Sequence, residues 1–499
     1  MIAITVGGFE LDKEQMDAVC SDSKHIMVVA GAGSGKTTTI IGRIKYLIQN
    51  GVDPNSILCI SFTNATVESL KGKIIDEINE SVDVYTFHKL SMNILNNSLE
   101  YKICSSDFLD YLVKEYLENI ILNDIDMMYI VLRYFNLFTV KINVLKKYRQ
   151  LISDKKIDRL IHLITKFIRL MKTNGYDIYS FNKFYKNKFK RKSFYFLKLV
   201  LILYQKYHNE LRSMGELDFD DLIIEARNMV DKYGIKNNYK YIIIDEFQDS
   251  SMIRFSLIKT ILNKTDSSLF VVGDDFQSIY KFAGCDLRIM LDFKKYFKDA
   301  SIYKITNTYR NSQELIDIAG SFIMKNKNQI YKELKSNKRL EDPIKIIKYK
   351  DYKKDFKKLI EEISVKNSIL VLGRNNKDIY KLLDKDYNID SGFNIVYIPK
   401  NIKFKYMTIH KSKGLEADVV IIINLVNDIM GFPSKLEDNK ILSLVSNKAD
   451  AYPYSEERRL FYVGLTRTKG YVYLYTPKYN ASEFVDEIKK AWSKWIMLN

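Results

Sequence analysis

Ala30–Thr37 reads AGAGSGKT, a run that could hold a triphosphate. Gly31, Gly33 and Gly35 let backbone N–H groups turn toward phosphate oxygens, and the positive end of a following helix adds to them. Lys36 is placed to reach the β- and γ-phosphates and Thr37 to ligate Mg²⁺. Ala30, Ala32, Ser34 and Thr38 complete the cradle by position. The first residue is Ala where the pattern more often has Gly, which leaves the Gly-Lys-Thr geometry intact. A second cluster, Ile242–Asp249, reads IIIDEFQD. Asp245 ends an apolar run, where it can hold Mg²⁺ through water. Glu246 beside it can orient and deprotonate an attacking water. Mg²⁺ takes hard oxygen donors, and these residues supply them.

The elements that must position these residues are legible as short β-branched runs ending at a Gly- or Asp-containing turn. His25–Ala30 runs into Gly31, Ser56–Phe62 into Thr63 and Asn64, Tyr241–Ile244 into Asp245, and Leu269–Val272 into Gly273 and Asp274. Helical patterns such as Thr37–Gln49 lie between them. This alternation predicts a parallel sheet covered by helices, with ligands at the carboxyl ends of the strands. Ile369–Leu372, Ala417–Leu425 and Tyr471–Thr476 predict a second α/β unit. Between about Lys89 and Gly215 the strand signal disappears, and Lys, Leu, Ile, Phe and Tyr at helical spacings predict an all-α insertion.

The 499 residues suggest about three domains. Hydrophobic residues at 46% and charged residues at 28% exclude a disordered chain, and 6 Pro with 20 Gly exclude collagen-like and low-complexity classes. The four cysteines, Cys20, Cys59, Cys104 and Cys285, are widely spaced, which argues against a disulfide scaffold, a zinc ribbon or an iron–sulfur site. Together with an N-terminus that lacks a signal-peptide pattern, this predicts a cytoplasmic setting. The run Val419–Val426, interrupted by Asn424, is too short to span a bilayer. The formal charge of +17 suggests a polyanionic partner. Lys183–Lys192 (KFYKNKFKRK) interleaves basic residues with Phe184, Tyr185 and Phe189. It reads either as a phosphate-contacting, base-stacking surface or as a solvated basic face over core aromatics.

With DEFQD reached, the chain resembles the UvrD/Rep family of superfamily 1 DNA helicases, with motifs in family order at both ends of the chain. The resemblance implies two RecA-like parallel-sheet P-loop domains with an all-α insertion in the first. The first domain would comprise 1–88 and 216–299, the insertion 89–215 and the second domain 300–499. Within the insertion only Leu217–Ile223 (LDFDDLI), at its exit, is familiar. Leu11–Val19 resembles the Q motif, in which Gln15 would read the adenine edge. Phe62, Thr63 and Asn64 resemble motif Ia, and Thr86, Phe87 and His88 the next strand-facing motif; Phe62, Thr63, Asn64, Thr86 and His88 would face DNA. Gly273–Tyr280 resembles motif III, with Gln277 sensing the γ-phosphate and Tyr280 and Phe282 offering stacking faces. The usual Trp-Arg-Gly-Ala is Phe282-Ala283-Gly284-Cys285 here, so the customary cation is missing. Tyr309 and Arg310 resemble motif IV, against the adenine and on the γ-phosphate. Arg374-Asn375-Asn376 resembles a DNA-contacting turn. Thr408–Glu416 resembles motif V, with Thr408 and His410 toward DNA and Glu416 toward the ribose. Glu457–Arg467 resembles motif VI, with Arg467 as the arginine finger.

The resemblance implies ATP hydrolysis with Mg²⁺, closure of two units over the nucleotide, and travel 3′-to-5′ on single-stranded or tailed duplex DNA. The family's second accessory domain does not fit in 377–406, which predicts that it is absent or reduced to a hairpin. The short stretch after Arg467 predicts no appended nuclease domain. Two readings stay open: a helicase or translocase, and a DNA-sensing ATPase subunit of a larger nuclease-containing repair or anti-phage defence complex. DEFQD, motif IV and motif VI argue against an unrelated P-loop kinase or GTPase. Trp492 and Trp495 are expected to pack back onto the second unit or to dock a partner.

Overall fold

In the computed structural model, which describes residues 4–95, 101–186, 191–363, 368–446, 452–492 and 496–498, two sheets carry the molecule. The first has six parallel strands in the order Ser301–Ile305, His25–Ala30, Ser268–Gly273, Tyr241–Ile244, Ile57–Ser61 and Asp83–Thr86. Its central strands are apolar on both faces because helices cover both. Met27, Val29, Leu58 and Ile242 point to one buried layer and Ile26, Val28, Ile57 and Ile243 to the other. All of its strands end on one side, which brings the AGAGSGKT loop and Asp245 to a common rim.

The strand Ser301–Ile305 corrects the expected boundary at 299/300: it is hydrogen-bonded to His25–Ala30 and belongs to the first sheet. Its alternation of half-buried or exposed residues up to Ile305 marks an edge strand, which carries a weak apolar signal. The boundary at 88/89 also shifts. The helix Phe87–Leu95 spans it, and Phe87, Leu90 and Leu95 pack in the first unit's core with Leu222 and Ile223.

The insertion is helical, its main helices being Phe108–Glu118, Ile125–Tyr134, Val144–Ser153, Lys156–Thr173 and Arg191–Met214. One two-residue strand, Lys102–Ile103, pairs with Glu216–Leu217 where the insertion leaves and rejoins the first unit. Phe184 is 2% exposed in the insertion's core, so this aromatic of the basic run packs inward. Lys192 lies 4.8 Å from the Tyr134 ring centroid. Residues 187–190 of that run lie outside the described residues. The insertion also meets the second unit. Ile441, Leu442 and Val445, which follow the strand Ala417–Ile422 in sequence, are buried in the insertion's core, and Lys166 pairs with Asp438 at 2.5 Å.

The second sheet runs Tyr387–Ile389, Asn394–Tyr397, Ile402–Thr408, Ile369–Gly373, Ala417–Ile422, Thr468–Pro477, Ile344–Tyr349 and Ile496–Leu498. The first two strands form a hairpin that adds antiparallel to the edge, and the rest are parallel. Residues 377–406 hold a helical turn at Asp378–Lys381, that hairpin and the start of the strand Ile402–Thr408. Trp492 packs against the second unit's core and donates its indole N–H to Ser321 Oγ at 2.7 Å. Trp495 lies outside the described residues. Among the described residues no helix is long and apolar enough to cross a membrane.

Candidate functional site

The loop after His25–Ala30 turns because Gly33 and Gly35 take φ of +72° and +78°, a region that side chains avoid. A Cβ at Gly33 would also sit 2.5 Å from Arg310 Cβ, so the loop is tight against the segment leading into the second unit. Thr308 Oγ1 donates to Ala32 O at 2.7 Å and Tyr309 N to Gly33 O at 3.0 Å. Ser34 Oγ closes the turn on Gly31 O at 2.9 Å. Lys36 opens the helix Lys36–Gln49, whose N-terminal N–H groups face the rim.

A cleft of about 380 Å³ lies at this rim, lined by Gly33 through Thr38, Glu246, Gln277, Tyr309, Arg310, Glu416 and Arg467. The two units therefore share one pocket. Ala30, Gly31, Ala32 and Asp245 shape it from behind and do not line it. Gln15 is also behind it. Its amide donates to Ser34 O at 3.2 Å, and its Oε1 accepts from Asp12 N at 3.0 Å. Gln15 is 3% exposed and braces the P-loop. Tyr309, 53% exposed, presents a ring face, with its hydroxyl held by Asp12 at 2.7 Å.

Glu246 adopts φ +48°, a strained left-handed conformation for a non-glycine residue. Gln248 donates to its carboxylate, and Lys413 of the second unit stands 3.6 Å away. Burial pushes the Asp245 carboxyl up to about 7, with the Glu246 charge adding and Lys36 opposing. Burial also works against ionisation of Glu246, but Lys413 and then Lys36 outweigh it and hold it down at about 2. Glu246 is thus an ionised acceptor, and Asp245 is a carboxylate whose charge a cation would secure. Among the described residues no group of three or more His, Cys, Asp or Glu could hold a metal. A cation here would be held by Thr37, Asp245, water and phosphate oxygens, which suits Mg²⁺.

Arg467, 1% exposed, is fixed by Nε to Val463 O at 3.1 Å and Nη2 to Gln277 Oε1 at 3.0 Å. Burial first, and then the charge of Arg310, lower its pKa to about 10, so it stays charged at neutral pH. Gln277 in turn donates to Asp274 Oδ2 at 2.7 Å. Arg310 Nε pairs with Glu416 at 2.7 Å, and the other Glu416 oxygen pairs with Lys469 at 2.9 Å. Glu416 is therefore engaged by cations in this state.

The strand-facing candidates lie at several places. Phe62 packs on Phe87 with centroids 5.5 Å apart, and Thr63 and Asn64 stand exposed at the start of the helix Asn64–Ile78. His88 lies 4.9 Å from Phe219. Tyr280 donates its hydroxyl to His410 O at 2.9 Å, and Phe282, 53% exposed, meets the His410 ring edge-on at 5.4 Å. Asn376 stands exposed on a separate recess with Phe393, Lys405 and Lys411. Thr86 and Thr408 are turned toward their own backbone. Both are buried, and their hydroxyls accept from Lys89 N at 3.2 Å and Lys411 N at 3.4 Å, so they cap their own helical turns. Both histidines are held near pKa 4, by burial first, with Arg254 adding for His88 and Arg374 for His410. They are neutral at pH 7.

Sequence reasoning missed several residues. Lys338, Gly414 and Lys469 line the cleft. Lys413 crosses from the second unit to donate to Gln277 O at 2.9 Å and to pair with Asp249. Its place in TIHKSKGLE was the available signal. Lys332, fully buried, pairs with Asp274 at 2.7 Å and with Asp275, and lies 3.5 Å from the Phe276 centroid. Nothing local marks it.

Comparison with known proteins places the chain among helicases. The UvrD/REP helicase N-terminal domain matches residues 11–298, and the UvrD-like helicase C-terminal domain matches residues 394–479. DNA helicase IV of Escherichia coli K12 is 27% identical, over 96% of this chain and 70% of that protein. A probable DNA helicase II homolog of Mycoplasma capricolum is 30% identical, over 66% of this chain and 42% of that protein. A probable DNA helicase of Mycoplasma pneumoniae is 26% identical, over 96% and 87%. The chain thus spans from under half to most of the length of these relatives. It belongs to the UvrD/REP family of ATP-dependent DNA helicases.

Proposed function

We propose that the chain couples hydrolysis of Mg²⁺-bound ATP to 3′-to-5′ movement along single-stranded DNA, separating tailed duplex as it moves, in the cytoplasm. The observation that carries this reading is the shared cleft, where Lys36 and Glu246 of the first unit meet Arg310 and Arg467 across one pocket. Tyr309 stacks on the adenine. Lys36 and the P-loop amides from Gly31 to Thr38 hold the phosphates. Thr37 and Asp245 would hold Mg²⁺, which when bound neutralises charge between the phosphates. Glu246, kept ionised, accepts the proton of the attacking water. Arg310 exchanges Glu416 for the γ-phosphate, which frees Glu416 for the ribose, and Arg467 and Gln277 meet the charge that develops in transfer. These contacts exist only with the cleft closed, so loss of the γ-phosphate lets the units part. Phe62, Thr63, Asn64 and His88 on one unit and Asn376 and His410 on the other, with Tyr280 and Phe282 between, grip the strand alternately. Thr86 and Thr408 set the turns that present them. The working parts would be the two RecA-like units, 1–95 with 216–305 and 306–499, and the helical arm between them.

A second reading, a DNA-sensing ATPase subunit that works with a nuclease or another protein, is favoured by the hairpin that stands where an accessory domain would regulate unwinding. Strand displacement on 3′-tailed, 5′-tailed and blunt duplexes separates the two. The expected result is displacement of the 3′-tailed duplex alone, abolished by EDTA. DNA-stimulated turnover without displacement favours the sensor. Displacement from 5′ tails overturns the polarity, and turnover indifferent to DNA overturns both.

A further inference from the structure

The helix Met252–Lys264 begins just after DEFQD, and its third residue, Arg254, lies beneath the strand-facing surface of the first unit. The guanidinium carbon is 5.5 Å from the Phe62 ring centroid and 5.9 Å from that of Phe87. Arg254 is half-buried, and among the described residues it makes no hydrogen bond and no ion pair. Its charge acts on His88, Asp220, Asp249 and Cys285, yet neither carboxylate reaches ion-pair distance. Asp249 is taken by Lys413, and Asp220 accepts from Thr173 at 2.8 Å. The Arg254 guanidinium nitrogens reach solvent, so their five donors are open to a ligand. Arg374, in contrast, is bound by both oxygens of Glu457, at 2.9 and 3.1 Å.

The neighbours narrow the choice of ligand. His88 is neutral at pH 7 and Ala283 in the nearby turn offers no charge, whereas Arg254 places a positive charge directly beside Phe62 and Phe87. Thr63 and Asn64, next to Phe62, stand exposed at the positive end of the helix Asn64–Ile78. An anion is favoured here, and an aromatic face lies in contact with the cation.

We propose that Arg254 is a phosphate-binding residue of the strand site: its guanidinium, laid over Phe62 and Phe87 and left without a protein partner, takes a backbone phosphate of single-stranded nucleic acid whose bases run past Phe62. This rests on the strand-binding reading above. The rings hold the planar fork in place, so the phosphate meets donors already oriented. Contact with the backbone fixes register and grip and carries no base preference. In sequence Arg254 lies five residues after Asp249, the partner of Lys413.

The test is fluorescence anisotropy of a labelled oligo-dT on the full chain, titrated between about 50 and 200 mM salt, for wild type, Arg254→Gln and Arg254→Lys, with thermal melts alongside. Loss of one charge-assisted contact raises Kd about tenfold or more in Arg254→Gln. The slope of log K against log salt falls by about 0.7, the value of one phosphate on a single strand. Arg254→Lys keeps the slope of the wild type and recovers part of the affinity. An unchanged Kd and slope in Arg254→Gln overturn the proposal. So does an equal loss in both variants with the slope unchanged, which marks a packing role alone. Wild-type protein that fails to bind the oligonucleotide overturns the strand-binding reading itself, an outcome distinct from the other two.

Discussion

Lys36→Ala is expected to lower DNA-stimulated ATP turnover by about 10²–10³-fold or more, the range for removing one preorganised stabiliser of transition-state charge. Lys36 opens the helix Lys36–Gln49 at the rim where Glu246, Gln277 and both arginines converge. Its ammonium is the first unit's own cation in that cleft, so no neighbour on the same unit replaces it. The strand-facing groups lie elsewhere on the rim, and binding of a single strand is expected to stay measurable. Steady-state turnover and oligonucleotide anisotropy on the same preparation check both halves. Turnover retained within about tenfold contradicts the assignment of the phosphate site.

Arg467→Ala is expected to lower kcat by about 10³-fold, the lower end for an arginine finger. That corresponds to about 4 kcal/mol of transition-state stabilisation. The affinity for ATP is expected to fall far less. The reason is geometric. Val463 O and Gln277 hold the guanidinium in place, so under the proposed reading it would stabilise developing charge without reorganising. An interaction made mainly in the transition state appears in kcat and not in ground-state binding. Single-turnover rates with a separate nucleotide-binding titration give the split. Equal losses in both measurements contradict the finger role.

The parts that were legible in the sequence are those whose signal is local. A glycine turn between a strand and a helix must fold much the same way in any context, so AGAGSGKT and DEFQD announce both their conformation and their chemistry. The strand Ser301–Ile305 was missed because an edge strand half-exposed to solvent has no apolar run to mark it. Lys332, Lys338, Lys469 and Arg254 were missed for a different reason. Each acquires its meaning from residues far away in sequence, such as the pairing of Lys332 with Asp274. Motif resemblance supplied residue types but not directions. Thr86 and Thr408 lie in the expected segments and turn their hydroxyls to their own backbone. Gln15 sits in the expected segment and braces Ser34. Phe184 belongs to a basic, aromatic run, and its ring joined the insertion's core because a helical arm without a sheet must draw its apolar layer from the side chains at hand.

The central claim is that the γ-phosphate holds the two units together. A crystal structure of the chain with a non-hydrolysable ATP analogue, Mg²⁺ and a single strand tests it most directly. The account predicts Arg310 released from Glu416 and both Arg310 and Arg467 within hydrogen-bond distance of the terminal phosphate. A bound triphosphate with both guanidinium groups turned away from it would contradict the account.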